Sequence, residues 1–167
     1  MTDAILVLNG GSSSLKFAVF EGRDDLPLVL RGSVSSLGQH PRLRVVPAGG
    51  APEIDRSLSD GPIDIDKAFA AVAALLADRD LLRSIGKVGH RIVHGGRDFT
   101  EAAQLDRSAL EALSRLEPLA PIHQKINLEI VALAASRCRR PSRPDASTRR
   151  FMRCGRGWPR SMAFHEG

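Results

Sequence analysis

The first twenty residues constrain the fold of this chain more than any other segment. Residues 4–8 form a short apolar run, and residues 15–20 alternate between apolar and other side chains so that one face is apolar. Between them lies the segment Asn9-Gly-Gly-Ser-Ser-Ser14, which is rich in residues that favour turns. Two strand-like segments joined by a Gly/Ser turn are typical of a β-hairpin. We therefore expect a sheet that is built on this hairpin.

Further segments extend this pattern into an α/β domain over residues 1–136. Three more segments are predicted to be strands: residues 28–34, 42–47 and 87–93. Helical periodicity or capping residues predict three helices: residues 65–83, a helix from Ser108, and a helix from Asn127 to about residue 135. Gly86 would close the first of these helices, since glycine often follows a helix end. Residues 119–123 are left as a loop because prolines interrupt them.

The basic charge of the chain is confined to its end. The net charge is +5, yet residues 1–136 hold 15 Lys and Arg against 17 Asp and Glu, whereas residues 137–167 hold nine Arg against two acidic residues. The apolar residues of segment 137–167 follow neither helical nor strand spacing, so we expect this segment to be a disordered, Arg-rich tail. Its two cysteines, Cys138 and Cys154, have a spacing that favours neither a zinc site nor a disulfide framework.

Composition and segment lengths also bear on partners and location. Nucleic-acid binding is a remote alternative, because the tail arginines lack aromatic platforms or a known binding module. No apolar run approaches the roughly 20 residues that a membrane span needs. No basic region precedes the first apolar stretch, which is unlike a secretory signal. We therefore expect a cytoplasmic protein with neither a nucleic-acid nor a membrane partner.

The turn after the first strand has groups that suit phosphate binding. Its Gly and Ser residues expose backbone N–H groups and hydroxyls to phosphate oxygens. In an extended segment Ser14 and Lys16 point to the same face, so a hydroxyl and an ammonium can converge on one anion. The spacing of the common nucleotide P-loop is absent. A plain hairpin turn with a solvated lysine fits the composition about as well.

Two later motifs also carry side chains that suit anions. Arg91 precedes Gly95-Gly96 near the end of a predicted strand, where a guanidinium could hold a carboxylate or phosphate through two hydrogen bonds. Val93 shares the face of Arg91 and could contact an apolar group beside that anion. His123 lies on a loop fixed by Pro121 and could donate to a phosphoryl oxygen. Taken singly, a surface arginine and a loop histidine without a ligand are more frequent.

Together the three motifs resemble the acetate kinase family, which includes propionate and butyrate kinases. Residues 9–16 match the family pattern N-x-G-S-S-S-L-K, and residues 89–96 match G-H-R-x-V-H-G-G. Residues 119–127 match L-A-P-L-H-N-P-x-N, with Gln124-Lys125 in place of Asn-Pro. Motif order and spacing also agree, and the resemblance covers residues 3 to about 136. It implies a truncated N-terminal domain of the acetate and sugar kinase/Hsp70/actin-like (ribonuclease H-like) fold.

The resemblance further implies a phosphotransferase that converts ATP and acetate into ADP and acetyl phosphate. Transfer would be direct and in line, would need Mg²⁺ or Mn²⁺, and would accept acetate or another short-chain carboxylate. The family forms homodimers. The implied roles are magnesium association at Asn9, phosphate binding at Ser12, Ser14 and Lys16, carboxylate or acetyl phosphate binding and catalysis at Arg91, a pocket for the methyl group at Val93 and Ile122, and catalytic contact with the transferred phosphoryl group at His123.

The end of the chain departs from the family, which continues with F-D-T-A-F-H. Residues 146–153 can be encoded by GCT TCG ACA CGG CGT TTC ATG CG. From its third base this string reads TTC GAC ACG GCG TTT CAT GCG, which encodes Phe-Asp-Thr-Ala-Phe-His-Ala. We therefore expect a frameshift after about residue 136. A catalytically inactive, truncated fragment of such a kinase is then the alternative to an active enzyme.

Overall fold

A computed structural model describes residues 3–138 and, as backbone, residues 149–154. Within these residues the strands form one mixed sheet of eight strands. The strands are β1 (Ala4–Gly10), β2 (Leu15–Glu21), β3 (Leu28–Ser35), β4 (Arg42–Pro47), β5 (Ile54–Ser57), β6 (Ile85–Ile92), β7 (Ala103–Gln104) and β8 (Arg149–Cys154). The α-helices are α1 (Ile65–Asp78), α2 (Arg107–Ser114) and α3 (Pro121–Arg137), and short 3₁₀ turns lie at Leu82–Ser84 and Glu117–Leu119.

The sheet combines an antiparallel half with a largely parallel half. Its strand order is β5-β4-β3-β2-β1-β6-β8-β7. Strands β1 to β5 pair antiparallel in sequence order, whereas β6 pairs parallel with β1 and β8 pairs parallel with β6. Because β1 and β6 are parallel, both run toward the same end of the sheet, and the residues that follow them are brought together there. The predicted hairpin and the strands predicted over residues 28–34, 42–47 and 87–93 are confirmed to within a few residues.

Helices α1 and α3 cover one face of the sheet. Inward-facing residues of β1 and β2, such as Leu6 and Phe17, share a buried cluster with Phe69 of α1 and Ile130 of α3. Burial of each large apolar side chain contributes about 1.5–3 kcal/mol, so this cluster stabilises the packing of both helices on the sheet. A second buried cluster joins α2 and α3 to the end of β6. None of the helices within residues 3–138 is long and apolar enough to cross a membrane.

Helices α1 and α2 each begin at an aspartate. The Oδ1 atom of Asp64 accepts from the backbone N–H of Lys67 at 2.8 Å. Asp106 accepts from the backbone N–H of Ala109 at 2.8 Å and from the hydroxyl of Ser108 at 2.9 Å. These donors hold the pKa of Asp106 below its usual value, the N–H of Ala109 having the larger effect. The predicted cap at Ser108 is therefore wrong, since the carboxylate two residues earlier occupies that position.

Helix α1 is shorter than its apolar pattern predicts. It ends at Asp78 rather than at residue 83. The left-handed residue that follows it is Asp80, with φ of 56°, and not Gly86. Gly86 instead lies within β6, where a Cβ atom would overlap the carboxylate of Asp3. The glycine at this position therefore allows close packing within the sheet and does not close the helix.

Helix α3 begins earlier than predicted. Its first residue is Pro121, so His123 lies in the first helical turn and not in a loop. Proline is tolerated at this position because the first N–H groups of a helix lack an intrahelical acceptor. Asn127, which was predicted to cap the helix, lies within it. Its side chain is consequently available for contacts outside the helix.

Part of the predicted tail belongs to the fold. Arg137 is the last residue of α3, and its guanidinium donates to Asp66 of α1 at 2.8 Å. Residues 149–154, within the predicted tail, form β8, which pairs with β6. Pairing satisfies the backbone of β6 with backbone groups and does not require an apolar side-chain pattern. The other tail residues, which include residues 146–148 of the frameshift argument, lie outside the described part of the chain.

The buried thiol of Cys138 provides a test of how α3 packs. Burial raises the pKa of this thiol to about 11. The folded chain therefore keeps this proton at pH values where the unfolded chain releases it. The free energy of unfolding should fall as the pH rises from about 9 to about 11. We expect the thiol of a Cys154→Ser variant to react with Ellman's reagent at pH 8 only when the chain unfolds. A reaction in native buffer as fast as in denaturant would contradict this packing.

Candidate functional site

The turn between β1 and β2 is tight and lies at the end of the sheet. Gly10 pairs with Leu15 as the last pair of the hairpin ladder. Beyond it, the N–H of Gly11 donates to the carbonyl of Ser14 at 2.8 Å. Ser12 is exposed at the tip, and Ser14 is half-buried. The serine hydroxyls and turn backbone are thus presented at this end of the sheet, as a phosphate-binding turn requires.

Asn9 and Lys16 lie beside each other on one face of the hairpin. They are directly paired across β1 and β2, so their side chains project to the same side of the sheet. The neighbouring residues Leu8, Leu15 and Phe17 point to the opposite side, where they pack in the cluster under the helices. Asn9 and Lys16, both half-buried, therefore lie on the face that α1 and α3 leave uncovered.

Arg91 extends this arrangement onto the next strand. The parallel ladder between β1 and β6 pairs Leu8 with His90. One residue further along both strands, Asn9 and Arg91 are neighbours, and alternation puts them on the same face. Asn9, Lys16 and Arg91 thus form a row across three adjacent strands, beside the Ser12–Ser14 turn. A row with two cations and a carboxamide at one end of a sheet has the donors that a multiply charged anion needs.

The other predicted site residues lie at the same end of the sheet. Val93 follows β6 and is 38% exposed, while Ile122 in the first turn of α3 is 62% exposed. His123 is also exposed, and it precedes Asn127 by one helical turn on the same side of α3. Asn127 in turn bonds to the last residue of β1 and to the residue that follows β6. The structure therefore brings the eight predicted residues to one end of the fold.

The sequence did not indicate Gly10 or Asn127 as site residues. Asn127 is 3% exposed and bonds to both strand ends. A Cβ atom on Gly10 would overlap the Cδ1 atom of Ile130, and it would lie 3.6 Å from Cγ2 of Ile126. Helix α3 therefore packs directly on the end of β1. A lone asparagine among apolar residues of a helix was the available signal, because buried amides need hydrogen-bond partners.

Asn9 is the candidate for contact with a divalent cation. It offers one carboxamide oxygen, and residues 3–138 contain no cluster of three His, Cys, Asp or Glu side chains that could hold a metal ion. Magnesium commonly takes few protein oxygens and completes its octahedron with water and phosphate oxygens. The residues present therefore fit a Mg²⁺ ion that arrives with nucleotide phosphates, and they do not form a metal cage of their own.

Comparisons with known proteins identify the family of this chain. The model of the acetokinase family matches residues 4–140. Acetate kinase of Nitrobacter hamburgensis is 40% identical over 130 residues, which cover 76% of this chain and 32% of that protein. Propionate kinase of Yersinia enterocolitica is 36% identical over 135 residues, which cover 80% of this chain and 31% of that protein. The chain thus spans about a third of the length of these relatives.

Solved structures give the same result for the fold. The crystal structure of Porphyromonas gingivalis acetate kinase superposes with a TM-score of 0.75 at 26% identity, covering 91% of this chain and 37% of that one. A propionate kinase from Francisella tularensis gives a TM-score of 0.75 at 24% identity, with 91% and 36% coverage. The sheet described above is therefore the N-terminal domain of the acetate and sugar kinase/Hsp70/actin-like fold. With the family match over most of its length, this chain belongs to the acetokinase family.

Proposed function

We propose that this chain carries the phosphate-binding and carboxylate-binding half of an acetate kinase-like phosphotransferase. The strongest support is the pairing of Asn9 with Lys16 beside the Ser12–Ser14 turn, with Arg91 one residue beyond the Leu8–His90 pair on the adjacent strand. A reaction that joins a carboxylate to a phosphoryl group must hold two anions close together. Cationic donors on a fixed sheet offset their repulsion without having to reorganise during the reaction.

The proposed reaction is ATP + acetate = ADP + acetyl phosphate, or its counterpart with another short-chain carboxylate. A carboxylate oxygen attacks the γ-phosphorus in line, and the bond to the oxygen that bridges the β- and γ-phosphates breaks as ADP leaves with the electron pair. The nucleophile is already ionised, so no base has to remove a proton from it. Catalysis then depends on positioning and on charge stabilisation.

Each residue has a role in this proposal. Arg91 holds the carboxylate or the acetyl phosphate, and Lys16 neutralises nucleotide phosphates with help from the hydroxyls of Ser12 and Ser14. Asn9 would contact Mg²⁺ or Mn²⁺, and a bound metal ion would supply further neutralisation of the phosphate charge. His123 donates a hydrogen bond to an oxygen of the transferred phosphoryl group.

Two exposed apolar side chains support a small acyl group as the substrate. Val93 is 38% exposed and Ile122 is 62% exposed, and both lie at the end of the sheet that carries the anion row. Apolar side chains that line a site gain free energy when an alkyl group covers them, at about 0.8 kcal/mol for each buried CH₂. We propose that these two residues contact the alkyl group of the carboxylate.

A catalytically inactive fragment is the second candidate. The chain spans about a third of the length of the relatives that it matches. Catalytic groups of a two-domain kinase can lie on both sides of a cleft. A chain with one side alone would bind acetyl phosphate through Arg91 and Lys16 without turning it over.

A paired experiment separates the two candidates. The purified chain is given acetate and MgATP, and acetyl phosphate is trapped with hydroxylamine; in parallel, binding of acetyl phosphate is followed by calorimetry at low salt. Hydroxamate formation supports the enzyme, whereas saturable binding without hydroxamate supports the inactive fragment. We expect the binding to weaken as salt increases, because the proposed donors are partly exposed charges. Neither binding nor hydroxamate formation at millimolar acetyl phosphate would overturn both candidates.

A further inference from the structure

Asn127 connects the two strand ends that carry the candidate site. Its side chain is 3% exposed, and both of its polar atoms have partners. The Nδ2 atom donates to the carbonyl of Gly10 at 3.0 Å. The Oδ1 atom accepts from the backbone N–H of Val93 at 3.0 Å. One side chain of α3 thus joins the end of β1 to the residue that follows β6.

These two bonds lie where the sheet ladder stops. The pairing of β1 with β6 ends at Leu8 and His90. Gly10 immediately precedes the phosphate turn, and Val93 lies two residues beyond Arg91. The backbone hydrogen bonds of the β1–β6 ladder therefore do not connect the turn to the segment after Arg91. The carboxamide of Asn127 makes this connection instead.

The geometry leaves one orientation for the carboxamide. Exchanging its oxygen and nitrogen would face Nδ2 toward the N–H of Val93 and Oδ1 toward the carbonyl of Gly10, so both bonds would become repulsive contacts. The helix itself cannot move away easily, because Ile130 packs against Gly10. A buried amide with both partners satisfied is a rigid connection, since breaking either bond leaves an unsatisfied buried group.

We propose that Asn127 is a positioning residue that fixes the Gly11–Ser14 turn relative to Arg91. It touches neither substrate and acts through the two backbone segments that it joins. This proposal rests on the proposed function for the identity of the ligand. A site that binds two parts of one anion depends on the distance between its donors, and a shift of about 1 Å can cost on the order of 100-fold in rate.

Two variants separate the two bonds. Asn127→Leu removes both of them with little change in volume. Asn127→Asp keeps an acceptor for the N–H of Val93 but turns an oxygen toward the carbonyl of Gly10. Val72→Ala is the control, because Val72 is a fully buried residue of α1 whose truncation lowers stability away from the strand ends.

Two measurements are made on the full chain: affinity for acetyl phosphate, and hydrogen exchange of the Val93 N–H by NMR. For Asn127→Leu we expect faster exchange and about 10- to 100-fold weaker binding. For Asn127→Asp we expect the N–H of Val93 to stay protected while binding still weakens. Val72→Ala should lower the melting temperature and leave the affinity within about twofold.

The backbone signals distinguish failure of this inference from failure of the proposed function. If the unaltered chain does not bind acetyl phosphate, the proposed function fails, and the amide shifts of Gly11–Ser14 then test the connection. They should move in Asn127→Leu and stay in place in Val72→Ala. Unchanged exchange at Val93 together with unmoved turn signals in Asn127→Leu would overturn the positioning role. An equal loss of affinity in Val72→Ala would do the same.

Discussion

Gly10→Ala is expected to lower the free energy of unfolding by about 1–3 kcal/mol, the usual cost of overpacking a core. An added methyl group would overlap the Cδ1 atom of Ile130, and the Cγ1 atom of that residue would lie 3.4 Å away. Helix α3 would then have to move off the end of β1. Gly11→Ala is the matched control, because the nearest atom to its new methyl group is the Ser14 carbonyl oxygen at 3.9 Å. Urea unfolding of both variants provides the comparison.

A second substitution tests the cause of the Gly10→Ala effect. Ile130→Val removes the Cδ1 atom, and by itself it should cost about 0.5–1.5 kcal/mol. In combination with Gly10→Ala it should restore part of the lost stability, since the added methyl group can then occupy the vacated space. The double variant should therefore lose less than the two single variants together. Strict additivity would show that the steric explanation is wrong.

Arg91→Ala is expected to weaken binding of acetyl phosphate by about 30- to 100-fold, since a hydrogen bond to a charged group contributes about 1.5–3 kcal/mol and this arginine can make more than one. Arg91→Lys should recover only part of this loss, because an ammonium cannot reproduce the planar pair of donors. Calorimetry at one fixed salt concentration provides the measurement, since the affinity of an exposed charged site depends on salt.

The control for Arg91 comes from the other end of the same strand. Arg83 is exposed in the 3₁₀ turn just before β6, and its substitution removes the same charge. Arg83→Ala should therefore bind acetyl phosphate as the unaltered chain does, apart from a small general effect of net charge. If both arginine variants lost affinity equally, the binding would be nonspecific attraction to a basic surface, and the site assignment would be refuted.

Local patterns sufficed for the hairpin, the strand that carries Arg91 and the start of α1. In each case the signal lies within a few residues: an alternating segment, a Gly/Ser turn, or apolar residues at helical spacing. The pairing of Asn9 with Lys16 follows from the hairpin once its turn is known. That part of the site is predictable because chain direction and alternation determine which side chains share a face.

The features that were mispredicted depend on context. Pro121 was interpreted as an interruption, yet at the first position of a helix its fixed φ angle is favourable, and sequence alone did not reveal which position it takes. The amide of Asn127 was assigned to its own backbone, whereas it bonds to residues far away in the chain. The sequence of β8 lacks the regular spacing of apolar residues that predicts a strand. Its place in the sheet depends on backbone pairing with β6. Such long-range choices have no local signature.

The parallel pairing of β1 with β6 has a consequence for the order in which the fold assembles. Only a short turn separates Asn9 from Lys16 in the sequence. Three further strands and α1 lie between this hairpin and the strand that carries Arg91. Closing so long a loop costs entropy before any contact offsets it, so this pairing should form late. Recovery of acetyl phosphate binding during refolding should therefore coincide with the slowest step and not with the early formation of the hairpin.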